Sequence, residues 1–125
     1  MKSGARFVFF ATAGVLALLG GRAHAQVEFK HHDHVAIIGN ALADHMQHDG
    51  WLEAYLQNAN PNKDLVIRNL GYSGDTVTSR PREENDPRLE DYLGLVKADV
   101  ILAFFGYNES YEHNPEKFKK DRKSV

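Results

Sequence analysis

Apolar positions along this chain gather into runs of two kinds. Three runs are short and rich in β-branched residues: His34–Gly39 (HVAIIG), Asp64–Arg68 (DLVIR) and Asp99–Gly106 (DVILAFFG). Such runs, with little polar alternation, predict strands buried on both faces, as in a parallel sheet. Between them the spacing becomes helical. Trp51, Leu52, Tyr55 and Leu56 follow a break at Gly50, and Leu89, Tyr92, Leu93 and Val96 recur at i, i+3, i+4 and i+7. Asp86-Pro87 predicts a helix start, with aspartate as the N-cap and proline at the first helical position, and Asn114-Pro115-Glu116 predicts another. The alternation of strand and helix predicts an α/β fold with right-handed crossovers and a ligand site at the carboxyl ends of the strands.

A fourth apolar run differs. Lys2 and Arg6 lead into FVFFATAGVLALL, Phe7 to Leu19, followed by Gly20-Gly21-Arg22 and Ala23-His24-Ala25. A basic start, a short apolar stretch and a small-x-small site make a secretory signal peptide over residues 1–25, with cleavage expected after Ala25. The run is shorter than the roughly 20 residues of a spanning helix, which disfavours the alternative of an uncleaved anchor. No Arg-Arg pair is present, so the general secretory route is expected. The mature protein, residues 26–125, is then periplasmic or extracellular and free of the membrane after cleavage.

Composition narrows the classes. With 42% apolar and 26% charged residues the body reads as globular. Residues 1–25 hold three bases and no acid, so the remainder is more acidic than the formal net charge of −2 suggests. An acidic body argues against nucleic-acid binding, which needs a basic face. The absence of cysteine excludes a disulfide scaffold, a thiolate metal site and a cysteine nucleophile. No Gly-x-Gly-x-x-Gly follows the first strand and no Gly-Lys-Ser/Thr occurs, so neither nucleotide-binding loop is present.

The segments after the three strands are Gly39-Asn40-Ala41-Leu42, Asn69-Leu70-Gly71-Tyr72-Ser73-Gly74-Asp75-Thr76 and Gly106-Tyr107-Asn108-Glu109-Ser110. Together and in this order they resemble the blocks of the SGNH (GDSL-type) ester hydrolase superfamily: Gly-Asp-Ser-Leu, Asn-x-Gly-x-Ser-Gly-Asp and Gly-x-Asn-Asp/Glu. The likeness runs from about His34 to Asn114. The first and third blocks are also similar to the SGNH-like domain at the front of some large secreted haem-binding multidomain proteins.

The resemblance implies a three-layer α/β/α flavodoxin-like sheet, of which residues 26–125 hold the N-terminal part, truncated after about three strands. It implies a serine nucleophile at the position of Ala41, preceded by an aspartate where Asn40 stands. Alanine has no hydroxyl to attack with. It also implies oxyanion donors at the backbone N–H of Gly74 and the side-chain amide of Asn108, with Asn40, Ser73, Asp75 and Glu109 lining the site. The acid and base would come from a late Asp-x-x-His segment, and no such spacing occurs up to Val125. Ser73 does not sit in a Gly-x-Ser-x-Gly elbow, because Asp75 takes the last position. Ser110 has no identified base. The expectation is an SGNH hydrolase-like domain of an ester-bond hydrolase family, inactive as written and needing no cofactor. The alternative is a non-catalytic module binding a small ester, carboxylate or carbohydrate.

Two further expectations concern partners. His31-His32-x-His34 forms a local cluster, and His45 and His48 share a helical face, but spacing indicates no carboxylate to complete either set, and no metal is expected. The basic end, Lys117 to Lys123, reads as the solvent face of a helix. The third strand, left at the sheet edge, is expected to be open to self-association.

Overall fold

A computed structural model describes residues 6–9 (as backbone), 27–81 and 87–123. The apolar runs form strands β2 (His34–Gly39), β3 (Val66–Asn69) and β4 (Val100–Phe104), all parallel. Helices α1 (Ala41–Asp49) and α2 (Trp51–Ala59) join β2 to β3, and α3 (Leu89–Leu95) precedes β4. After β4 come the short α4 (Tyr107–Ser110) and α5 (Pro115–Asp121). The result is an open parallel α/β sheet consistent with a flavodoxin-like layout.

Because successive strand residues face opposite sides, β2 and β4 each feed two cores. Val35, Ile37, Val100 and Leu102 pack with Phe29, Ala43, Leu56 and Leu65 beneath α1 and α2. Ala36, Ile38, Ile101 and Ala103 pack with Val77, Leu89 and Phe105 on the other side, where α3 and α5 add Leu93 and Phe118. This double burial is why both strands read as unbroken apolar runs.

Local signals place most helix ends. Asn40 caps α1 by accepting the Leu42 N–H at 3.4 Å, and Gly50 ends it at φ 65°. The same glycine opens α2. Asn114 caps α5 through the Lys117 N–H at 3.0 Å, with Pro115 in the first turn. The start expected at Asp86-Pro87 is corrected: α3 begins at Leu89, because Asp91 accepts the N–H of Arg88 at 3.2 Å and fixes Arg88 as the N-cap. Asp86 itself lies outside the described residues.

In the 125-residue chain the edge of β4 expected to be open in residues 26–125 has a neighbour. A fourth strand, β1 (Arg6–Phe9), pairs in parallel with β4 in the register Arg6↔Val100 to Phe9↔Ala103, and the sheet order is β1-β4-β2-β3. An unpaired row of N–H and C=O groups accepts any segment able to extend beside it. The segment used here is the start of the expected leader. The rest of that leader, including the cleavage site after Ala25, lies outside the described residues. Among the described residues no helix is long and apolar enough to cross a membrane.

Candidate functional site

The site sits where β2 and β4 end, and a close approach of backbones builds it. At the last residue of β2, Gly39 takes φ 149°, and a Cβ there would lie 2.4 Å from the carbonyl oxygen of Phe104. Only glycine fits that contact. The chain then turns into α1, with the Asn40 N–H donating to the same Phe104 oxygen at 3.3 Å. Ala41 is thus the first helical residue behind the strand, at the mouth of the sheet.

Hydrogen bonds stitch the second segment to the first. Leu70 donates to Ile37 O at 2.7 Å, and Tyr72 donates to Gly39 O at 3.0 Å. Asn69 spans to α1 by donating to Ala43 O at 2.8 Å while its own oxygen accepts the Gly71 N–H at 2.8 Å. Gly74 follows at φ 98°, with open space where a side chain would be. The third segment joins through Asn108, whose Nδ2 donates to Asp75 O at 3.1 Å. All three segments therefore meet at one end of the sheet.

Several of these side chains are already engaged within the fold. One hydrogen of the Asn108 amide is committed to Asp75 O. Glu109 accepts two backbone N–H groups, from Val77 and from Gly106, each at 2.8 Å, so its carboxylate organises the loops. Ser73 is turned toward α1, giving its N–H and hydroxyl to Asp44. Asp44 was not singled out by sequence; its only signal is a position one helical turn after the cap. The Ser73 hydroxyl bond is the main cause holding the Asp44 carboxyl below its usual range; burial opposes it, and the Ser73 N–H, Gln47 and His48 add further lowering.

Asn40 is 2% exposed, and its Nδ2 has no hydrogen-bond partner among the described residues. A buried amide donor left in this state costs free energy until an acceptor reaches it. Each of the three segments also carries an exposed large side chain: Leu42, Tyr72 and Tyr107 are 52%, 47% and 63% exposed. Tyr111 packs edge-to-face on Tyr107 at 5.6 Å and donates to its hydroxyl at 2.9 Å. That hydrogen bond is the first cause raising the Tyr111 phenol above its usual value.

Two concavities lie nearby. One of about 430 Å³ is lined by Gly106, Glu109, Ser110, His113, Asn114, Pro115 and Phe118. It places His113 beside the third segment, yet Ala41, Gly74 and Asn108 line neither it nor the second. The second, about 450 Å³ and strongly apolar, runs between α2 and β4 over Phe29, Leu52, Leu102 and Phe104.

The histidines separate. His34, inside β2, bonds through Nδ1 to Val96 O at 2.7 Å and leaves the cluster expected with His31 and His32. His45 and His48 are exposed on α1. No family model, no curated protein and no solved structure matches this chain.

Proposed function

We propose that this chain is an SGNH hydrolase-like domain that holds a small ester, carboxylate or carbohydrate at the carboxyl ends of β2 and β4 without cleaving it. The observation that carries this reading is the buried Asn40 amide with no acceptor, next to Ala41 where the resemblance calls for a nucleophile. A donor set that favours an oxygen anion stabilises charge but supplies no attacking group. The 125 residues hold no Asp-x-x-His to act as base and orienting acid. The exposed Leu42, Tyr72 and Tyr107 supply the apolar and aromatic contacts that an acyl group or a sugar face requires. The leader-like residues 1–25 support export to the periplasm or the outside of the cell.

Thermal-shift titration with acetate, with a neutral sugar and with its acetylated form tests this reading, alongside turnover of an aryl acetate. A ligand that raises the Tm of the wild-type chain but not of Asn40→Ala, with no turnover by either, is the expected result. Turnover by wild type and not by Asn108→Ala makes the chain an esterase instead. No shift with any of the three ligands removes the binding reading.

A further inference from the structure

The turn before β2 and the turn before β3 meet at the amino ends of their strands, the opposite end of the sheet from the ligand segments. There the side chains of His31, His32 and Asp64 converge, each offering one ligand atom, with all three atoms within 4.8 Å of one another. His32 Nδ1 lies 3.5 Å from Asp64 Oδ2. The His31 and His32 rings stand edge-to-face at 4.0 Å. A tetrahedral ion with bonds of about 2.0–2.2 Å spaces its ligand atoms roughly 3.3–3.5 Å apart, so the His32–Asp64 pair already has that separation.

Backbone contacts hold the two turns together independently of these side chains. His32 donates to Lys63 O at 2.7 Å, and Val66 donates to Asp33 O at 3.1 Å. His32 and Asp64 both take left-handed backbone, at φ 61° and 53°. The carboxylate that sequence spacing failed to supply thus comes from a residue over thirty positions away, brought in by the parallel pairing of His34 with Val66.

We infer that His31, His32 and Asp64 form a solvent-open site for a divalent transition-metal ion of the zinc class, with two imidazole nitrogens and one carboxylate oxygen as protein ligands and water completing the shell. Two imidazoles select zinc, copper or nickel over magnesium and calcium, which prefer oxygen. The His32 and Asp64 side chains are 61% and 75% exposed, so an ion enters without any opening of the fold. Bound there, it links the turns that start β2 and β3 and stabilises the folded chain by mass action.

Isothermal titration of the untagged full-length chain with Zn²⁺ tests this. The expected result is one equivalent bound tighter than millimolar, a rise in Tm, and no displacement by excess Mg²⁺ or Ca²⁺. Asp64→Asn and His32→Ala should each weaken binding at least about tenfold, the lower range for losing even an outer-shell partner. The double variant His45→Ala/His48→Ala should bind as wild type does. Circular dichroism establishes that each variant is folded. Binding no tighter than millimolar, equal binding by Asp64→Asn, or loss of binding in the His45/His48 variant overturns the site.

Discussion

Ser73 gives both its backbone N–H and its hydroxyl to one oxygen of the Asp44 carboxylate, at 3.0 and 2.5 Å, across 29 residues of sequence. The pair fastens the segment after β3 to the first turn of α1. Ser73 thus acts as a clasp between the two segments.

The clasp has a pH signature. The Asp44 carboxyl is held below its ordinary value, chiefly by the Ser73 hydroxyl. Its stabilisation is therefore complete above the unfolded value of about 3.9 and fades as pH falls through the lower native value. The stability gap between wild type and Ser73→Ala, about 1 kcal/mol at neutral pH, should close progressively below about pH 4. Urea unfolding at a series of pH values measures it, and a gap that widens in acid contradicts the assignment.

Gly39→Ala should destabilise the chain by about 3 kcal/mol, since the added methyl meets the Phe104 carbonyl and the backbone leaves its allowed range. Gly74→Ala tests backbone strain alone, because open space surrounds that position. Its cost should be about 1 kcal/mol. Denaturant midpoints of the two variants, measured side by side, separate a steric cost from a conformational one.

Adding a hydroxyl at position 41 should not create ester hydrolysis. Ala41→Ser places an oxygen at the head of α1 with no base bonded to that position among the described residues, so aryl acetate turnover should stay at the background rate. Turnover well above background in this variant would mean that a nearby group, His113 foremost, serves as the base.

Glu109→Ala should loosen the second and third segments together. Its carboxylate accepts the N–H groups of Val77 and Gly106, and losing two bonds to a charged acceptor costs about 2–3 kcal/mol. Faster hydrogen exchange at both amides, with β2 amides unchanged, is the expected pattern.

Removing residues 1–25 should change the oligomeric state. That deletion takes away β1 and leaves β4 with β2 as its one neighbour among the described strands. An apolar edge of this kind recruits other strands. Sedimentation should show the full chain monomeric and the 26–125 chain associating; a monomeric, sharply melting 26–125 chain would count against an exposed edge.

Several features were legible in the sequence because short-range physics encodes them. The strands at His34–Gly39 and Val100–Phe104 follow from continuous apolar burial, and the α5 start follows from Asn114 and Pro115. Gly50 marks the break between α1 and α2 because its left-handed backbone suits glycine. The loops after the strands begin where the apolar runs stop, so their positions were legible too.

Tertiary structure alone decided which distant residues meet. Nothing in the spacing of Ser73 announces Asp44, and nothing in His31-His32 announces Asp64. The pairing of Arg6–Phe9 with β4 was not legible either, because those residues also fit the start of an export leader. The sorting of His34 away from its neighbours likewise depends on Val96, contributed by the end of α3. Periodicity and caps are written in adjacent residues. Partners across the sheet are set by register and by which backbone groups still lack a hydrogen bond, and these exist only once the chain has folded.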